Sequence, residues 1–321
     1  MSFAHMHAFS YASCLNRLDE VRFVGVADED ASRAKKAARQ FGVKAFPDYA
    51  SLLEAELDAV IVTSENANHR RHAVAAAQAE KHVLCEKPLA TTIADAEAIV
   101  EVCRRAGVKL MTAFPCRFHP AFARLRQAVS AGDLGKILAI KATNQGICPG
   151  GWFTQTELSG GGAVIDHTVH VLDLIRVLTG AEPVRVYAEI DNRFCGGDFD
   201  DTGLLTIDFS DGVFATIDTS WSRPKSSPFW GNVTLEVTGE AGRAEMDMFA
   251  QKIDHISDRT KRYTHEYWGD DIDLAMVRSF ARSVATDSGP EVSGDDGLAA
   301  LRIALAAYDS AAVGEAVELP R

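Results

Sequence analysis

The chain has 321 residues, of which 47% are hydrophobic and 24% are charged, and its formal net charge is −12. This length predicts two domains, while the acidic balance and the absence of any Lys/Arg cluster argue against a nucleic-acid partner. No apolar run is long enough to span a bilayer, and the amino terminus lacks the basic start and apolar core of a signal peptide. The six cysteines are widely spaced, so we expect reduced thiols and a cytoplasmic protein without a membrane partner.

The first half of the sequence alternates short apolar runs with helical stretches, starting from a predicted helix at residues 7–18. The predicted strands are residues 21–26, 59–62, 83–84 and 109–112, and the helices between them are residues 32–40, 69–79 and 93–106. Strands that alternate with helices of this length are typical of parallel βαβ units. We therefore predict an α/β domain with a doubly wound parallel sheet over residues 1–118.

After residue 118 the pattern changes to consecutive strands. Helices are predicted at residues 120–130, 160–178, 274–285 and 298–312, and strands at residues 137–143, 184–189, 200–209, 213–219 and 232–238. Two of these strands meet at Ser210-Asp211-Gly212, which is a hairpin signal. Residues 119–321 are thus predicted to form an α+β domain with a largely antiparallel sheet.

The segment KHVLCEKPLA, residues 81–90, places Glu86, Lys87 and Pro88 directly after a short buried strand. The carboxyl edge of a parallel sheet is where open α/β folds bind ligands, and proline restricts the backbone of the residue before it. A lysine held there can polarise a substrate oxygen. The alternative is a surface lysine that pairs with Glu86.

A second segment, SGGGAVIDHTVHVLDLI, spans residues 159–175 and joins three glycines to a helix. Glycines allow a close approach of the backbone, and Asp166 and His170 are four residues apart, so they project from one helix face. A histidine beside a carboxylate is a plausible general base near neutral pH. Alternatively, Asp166 is solvated or caps the helix, His170 is a core histidine, and His167 is an exposed neighbour.

These two motifs, in this order, resemble those of the glucose-fructose oxidoreductase and inositol dehydrogenase (Gfo/Idh/MocA) family. The resemblance covers residues 21–318 and includes the smaller patterns at residues 132–135 and 293–298. It implies a Rossmann-like first domain and an NAD(P)-dependent oxidoreductase that acts on a sugar, cyclitol or related polyol. It also implies a homodimer or homotetramer.

The resemblance further assigns roles to residues of both motifs. Lys87 would position and polarise the reacting hydroxyl or carbonyl. His170 would take the hydroxyl proton, and Asp166 would bind a neighbouring hydroxyl and orient the imidazole. Further substrate-binding candidates are Arg117, Trp152 and His167.

The cofactor is predicted to be NAD rather than NADP. Asp28 follows the strand at residues 21–26, where dinucleotide-binding folds place an acid on the ribose 2′-hydroxyl, and a 2′-phosphate would meet a like charge. Arg33 lies nearby but is expected to be solvated or paired with Asp30. The other candidate cofactor contacts are Thr63, Glu65, Asn66, Glu86, Lys87 and His5. For the loop after residue 62, an ordinary connection with Asn68 as helix N-cap is an equal alternative.

The sequence departs from the family at its start. Residues 2–7, SFAHMH, stand where the glycine-rich dinucleotide turn should be, and Met1 leaves no residues for the usual first strand. The favoured interpretation is that the true start lies upstream. The other is a domain that binds dinucleotide poorly, which raises the alternative of a non-catalytic binding or regulatory protein.

The remaining candidates are weaker. Trp152 and Phe153 would wall the substrate pocket, and Arg117, Asn144 and Trp221 would line the cleft or pack in the core. No metal site is predicted, because the spacing of Cys148, His167 and His170 fits no standard zinc site. A metal-dependent enzyme that uses this set is the third alternative.

Overall fold

The computed structural model describes residues 1–227, 229–267 and 269–319 of the chain. The chain forms two compact units, each built from three segments. The first unit contains Met1–Pro115, Gln155–Gly160 and Ile272–Arg302, and the second contains Cys116–Thr154, Gly161–Asp271 and Ile303–Arg321. The predicted domains were single stretches, whereas each unit also draws on distant segments. Among the described residues, no helix has both the length and the apolar character that a membrane span requires.

The elements follow the predicted order, with several additions. Up to residue 115 they are α1 (His7–Leu15), β1 (Gly25–Val26), α2 (Ala31–Phe41), β2 (Lys44–Ala45), α3 (Tyr49–Leu53), β3 (Ala59–Val62), α4 (His69–Gln78), β4 (His82–Cys85), α5 (Ile93–Arg105) and β5 (Leu110–Thr112). Beyond it they are α6 (Pro120–Ser130), β6 (Ile137–Gln145), α7 (Thr156–Ser159), α8 (Ala163–Thr179), β7 (Pro183–Asp191), β8 (Thr202–Phe209), β9 (Phe214–Ser220), β10 (Thr234–Gly239), β11 (Arg243–Asp247), β12 (Lys252–Ser257), β13 (Arg262–Tyr267), α9 (Ile272–Ala285), α10 (Gly294–Val313) and β14 (Val317–Glu318).

The first unit contains the predicted parallel βαβ arrangement, split into two sheets. Strands β3, β4 and β5 pair in parallel, and β1 pairs in parallel with β2. Local signals start and stop the helices: the Thr92 side chain accepts from Asp95 N at the start of α5, and Gly42 ends α2 with φ of 70°. The Rossmann-like α/β prediction is confirmed.

Met1 and Ser2 connect the two sheets of the first unit through backbone hydrogen bonds. Ser2 N donates to Ala27 O at 2.8 Å, and Thr63 N donates to Met1 O at 3.0 Å. Beside these residues lies a cavity of about 430 Å³, lined by residues that include Val24, Val60 and Phe280. Met1 and Ser2 therefore form a short bridge between the sheets.

The second unit is built on a seven-stranded sheet of order β11-β10-β6-β9-β8-β7-β14. All neighbours in it are antiparallel except β6 and β9. The predicted hairpin between β8 and β9 is confirmed, with Gly212 at φ of 88°. Helix α8 packs against β6, β8 and β9 and is buried on nearly all sides. The sheet thus fixes the position of the helix that carries Asp166 and His170.

Candidate active site

Lys87 lies at the carboxyl edge of the parallel sheet of the first unit, directly after β4. Its side chain is only 4% exposed, so the alternative of a surface lysine is wrong. The backbone N of Lys87 donates to Glu86 Oε2 at 2.8 Å, and the Lys87–Pro88 peptide bond is cis. His69 Nδ1 lies 2.9 Å from Pro88 O. Burial lowers the pKa of His69, so a neutral imidazole holds this turn.

Glu86 is a fully buried carboxylate at the centre of a polar network. Its Oε1 accepts from Tyr11 Oη at 2.6 Å and from His7 Nδ1 at 2.8 Å, and His5 Nδ1 lies 3.8 Å away. Burial alone would raise the pKa of Glu86, but His5, His7 and Lys87 outweigh it and hold that pKa well below its usual value. Burial alone would lower the pKa of His7, but Glu86 raises it overall. Glu86 is therefore ionised, and the two histidines offset its charge.

Asp28, the predicted ribose ligand, is buried and already bonded on both oxygens. It accepts from Phe3 N at 2.6 Å, from Asp30 N at 2.9 Å, and from Arg33 Nε and Nη2 at 2.7 Å each. The expectation that Arg33 is solvated or pairs with Asp30 is wrong, because the Asp30 carboxylate instead caps α2 by accepting from Ser32 N. Since a carboxylate has about four acceptor positions, little capacity remains on Asp28 in this arrangement.

The loop after β3 places its three candidates in different surroundings. Thr63 Oγ1 donates to Ser2 O at 2.8 Å, and Glu65 accepts from Asn68 Nδ2 at 3.0 Å, so Asn68 does not cap α4 with its side chain. Asn66 is buried and donates to Ser159 O at 2.8 Å. Its Oδ1 has no hydrogen-bond partner among the described residues. Asn66 thus offers a buried acceptor at this edge.

The surroundings of His72, on α4 of the first unit, indicate that acid lowers the unfolding free energy of the protein. This histidine is 2% exposed, lies 3.0 Å from Ser64 Oγ, and has Arg71, His69, Asp28 and the amino terminus around it. Burial, with Arg71, lowers its pKa from 6.5 to about 3, so below pH 6.5 the unfolded chain binds a proton that the folded chain does not.

The wild-type protein should therefore lose about 2 kcal/mol of unfolding free energy between pH 7 and pH 5 through this histidine. His72→Gln is expected to lack that component, and denaturant unfolding of both proteins at the two pH values measures it. Equal pH dependence in the two proteins would contradict the assignment.

In the second unit, α8 presents the predicted Asp166 and His170 among buried residues. Asp166 is 7% exposed and His170 8%, so the expectation of a solvated Asp166 is wrong. Asp166 Oδ2 lies 3.3 Å from His167 Nε2 and accepts from Trp221 Nε1 at 3.3 Å. The alternative of an exposed His167 is wrong, since this residue is 4% exposed and its Nδ1 lies 2.8 Å from Asn144 O. The carboxylate is therefore linked to His167 as well as sharing a helix face with His170.

The glycines before α8 closely approach the backbone of Asp200 and the side chain of Tyr308. A Cβ on Gly162 would lie 1.8 Å from Asp200 O, and one on Gly161 would lie 2.3 Å from Tyr308 Oη. Asp200 accepts from Gly162 N and Val164 N at 2.7 Å each, and Tyr308 Oη donates to it at 2.7 Å. Asp200 and Tyr308 therefore fix the start of α8. No local signal predicted a role for either residue, since both are distant from α8 along the chain.

Two other predicted candidates have clear partners. Arg117 forms a buried bidentate ion pair with Asp173. Its Nε lies 2.9 Å from Oδ2, and its Nη2 donates to Oδ1. Trp152 is half-buried and stacks on Phe153 with ring centroids 3.9 Å apart. Arg117 therefore anchors α8 through Asp173.

In the second unit, burial and a hydrogen bond with Cys148 raise the pKa of the Cys195 thiol to about 12. None of the six cysteines forms a disulfide. Within the described part of the chain, the group of His, Cys, Asp and Glu side chains close enough to share a metal ion is His5, His7 and Glu86. The alternative set Cys148, His167 and His170 is not such a group.

The chain thus combines a parallel-sheet unit that has a buried lysine at its carboxyl edge with an α+β unit that has a buried helix carrying Asp166 and His170. Residues 4–114 match the model of an oxidoreductase family with an NAD-binding Rossmann fold, and residues 122–245 match the GFO/IDH/MocA C-terminal domain. The chain belongs to this GFO/IDH/MocA oxidoreductase family.

The relatives that the chain resembles include dehydrogenases, and these matches cover nearly the whole of both chains. The chain is 30% identical to myo-inositol 2-dehydrogenase of Thermotoga maritima over 96% of this chain and 94% of that one. It is 32% identical to D-xylose 1-dehydrogenase (NADP(+)) 2 of Haloferax volcanii, covering 92% and 91%. The crystal structure of myo-inositol 2-dehydrogenase from Lactobacillus plantarum matches at a TM-score of 0.85 with 25% identity, covering 97% and 95%. The protein is therefore an enzyme of the dehydrogenase and reductase class, and nothing in these matches supports the non-catalytic alternative.

Proposed function

We propose that this enzyme is an NAD-dependent dehydrogenase that oxidises, or in reverse forms, a secondary hydroxyl of a sugar, cyclitol or related polyol. The observation that carries the proposal is the burial of Lys87 at the carboxyl edge of a parallel sheet, with its turn held by Glu86 and His69. A fixed ammonium group stabilises the alkoxide character that develops as a hydroxyl loses its proton. The names of the relatives, which act on myo-inositol and D-xylose, support the substrate class.

We assign the proton transfer to the second unit. His170, an imidazole on a rigid buried helix, is the general base that takes the hydroxyl proton. Asp166 binds a neighbouring hydroxyl and orients His167 through their 3.3 Å contact. The other substrate-binding candidates that we propose are His167, Trp152 and Arg117. NAD, when bound, supplies the acceptor for the hydride.

The residues of the first unit fit a dinucleotide in part. The buried Oδ1 of Asn66 is an acceptor for a ribose or amide donor, and Thr63, Glu65, Glu86, Lys87 and His5 are the further cofactor contacts that we propose. The Asp28 carboxylate supports NAD, because a 2′-phosphate would approach a fixed negative charge. Arg33 weakens this selectivity, since its guanidinium neutralises Asp28 at 2.7 Å.

A titration with NADH and with NADPH, followed by nicotinamide fluorescence, tests the cofactor proposal. We expect the wild-type protein to bind NADH more tightly. Arg33→Ala removes the guanidinium that neutralises the Asp28 carboxylate. We expect the ratio of NADPH Kd to NADH Kd to rise about tenfold, because repulsion of the 2′-phosphate by the exposed charge costs about 1.4 kcal/mol.

Arg39→Ala, on the exposed face of the same helix α2, is the matched control and should leave the preference unchanged. Tighter binding of NADPH than of NADH by the wild-type protein would overturn the NAD assignment and identify Arg33 as a phosphate ligand. Turnover with myo-inositol and a panel of aldoses would then test the substrate class separately.

We also propose a cytoplasmic homodimer or homotetramer. Leu138, Leu204 and Phe214 are exposed hydrophobic residues on the sheet of the second unit, at 42%, 58% and 48%. Exposed apolar residues on a sheet face are typical of subunit contacts. Light scattering after gel filtration measures the mass, and a monomer at micromolar concentration would contradict this proposal.

A further inference from the structure

Two histidines and a buried carboxylate converge at the amino-terminal end of the first unit. We propose that His5, His7 and Glu86 form a binding site for a divalent transition-metal ion of the Zn²⁺ type. The site shares His5 and Glu86 with the cofactor contacts proposed above, so metal binding is tested in the absence of dinucleotide. The proposal departs from the sequence-based expectation that the chain has no metal ligands.

The distances already approach those of a coordination shell. Each of the three residues offers one ligand atom, and these atoms lie within 4.8 Å of one another. Glu86 Oε1 is 2.8 Å from His7 Nδ1 and 3.8 Å from His5 Nδ1. Ligand atoms of a tetrahedral zinc ion are about 3.3 Å apart, given bonds of about 2.0–2.1 Å. On binding an ion, His7 Nδ1 and Glu86 Oε1 would exchange their hydrogen bond for bonds to the metal, and a turn of the His5 ring would release its Nδ1 from the backbone N of His7.

The donor set is one that zinc commonly uses. Two imidazole nitrogens and one glutamate oxygen leave a fourth position open, as in catalytic zinc sites. The His7 side chain is 31% exposed while His5 and Glu86 are buried, so water and ions reach the cluster from the side of His7. A solvent molecule can then complete the shell.

The surroundings hold the ligands in place, as outer partners do in metal sites. Tyr11 Oη donates to Glu86 Oε1, and the backbone N of Lys87 donates to Oε2. The backbone N of His5 donates to Thr63 O at 3.0 Å. The carboxylate and the backbone of His5 are thus held in place before any ion arrives.

Charges of both signs surround the cluster. The carboxylates of Glu86 and Asp273 act on His7, and a metal ion would take the place of a proton on that imidazole. Lys87 is the opposing positive charge. A divalent ion would bond directly to Glu86 and both imidazoles at about 2 Å. The favourable free energy of these three bonds exceeds the unfavourable free energy of repulsion by one ammonium group.

Titration of the tag-free protein with Zn²⁺ by calorimetry, and with Co²⁺ by absorption spectroscopy, tests the site. We expect one ion per chain with a micromolar or lower Kd, and a Co²⁺ spectrum of nitrogen and oxygen ligands. His5→Gln and His7→Gln should each weaken binding by about 100-fold or more, since losing a direct ligand exceeds the 10–100-fold cost of losing an outer partner. His82→Gln, which removes a partly exposed histidine elsewhere in the first unit, should leave the affinity unchanged.

Circular dichroism confirms that each variant is folded. If His5→Gln does not fold, the Zn²⁺ affinity of His7→Gln alone tests the site. This variant is expected to fold, because the His7 side chain is partly exposed. Equal affinity in the wild type and in His7→Gln would overturn the site. So would an intense sulfur-to-cobalt absorption, which would place the metal on cysteine, or no binding of either ion at millimolar concentration.

Discussion

Replacing Lys87 by Met is expected to lower kcat by about 100-fold or more on whichever sugar or cyclitol the wild-type enzyme oxidises. Methionine keeps the approximate length and the apolar stem of lysine but removes the ammonium group. Removal of one donor that stabilises developing negative charge typically costs a factor of 100 to 1000 in turnover. Because Lys87 is 4% exposed, neither water nor a surface cation can readily replace it.

The matched control is Lys81→Met, which changes a half-buried lysine just before β4 in the same first unit. It should retain normal turnover. NADH binding by Lys87→Met is measured in parallel, because retained binding would assign the loss to the chemical step. Turnover of Lys87→Met close to that of the wild type would contradict the proposed role.

The sequence located elements of both units well where local signals were strong. Strand β3 and helix α6 have the predicted bounds, because an apolar run between polar turns and a proline at the first helical position mark them directly. The strand predicted at residues 21–26 is reduced to Gly25–Val26. A strand needs a neighbour for its hydrogen bonds, and here much of that segment borders the cavity.

The motifs identified the candidate residues but not their partners. Lys87 was predicted from its position after a strand, and Asp166 and His170 from their spacing on one helix. Such positions can be predicted because strands and helices have fixed periodicities. The pairing of Arg33 with Asp28 rather than Asp30 depends on a bend of the backbone that spacing does not encode. The contact of Gly162 with Asp200 joins residues 38 positions apart. Such contacts depend on tertiary packing, so the close approach made by the glycines was predicted but the group they approach was not.

Replacing Arg117 by Met is expected to destabilise the second unit by about 3–5 kcal/mol. Arg117 is 7% exposed and Asp173 is 0% exposed, and the guanidinium bonds both carboxylate oxygens. Removing one member of a buried ion pair leaves a buried charge without compensation, which has this cost. The change should lower the thermal unfolding midpoint of the second unit, observed by calorimetry.

Arg185→Met is the matched control, since Arg185 pairs with Asp208 on the same sheet but is 51% exposed. Exposed pairs contribute about 0–1 kcal/mol, so this variant should unfold close to the wild-type temperature. The double variant Arg117→Met/Asp173→Leu removes both charges and should recover much of the stability, because an apolar pair in the same place leaves no buried charge. If Arg117→Met instead kept wild-type stability and raised KM alone, Arg117 would serve the substrate rather than the anchoring of α8. That result would support the substrate-binding role proposed for it.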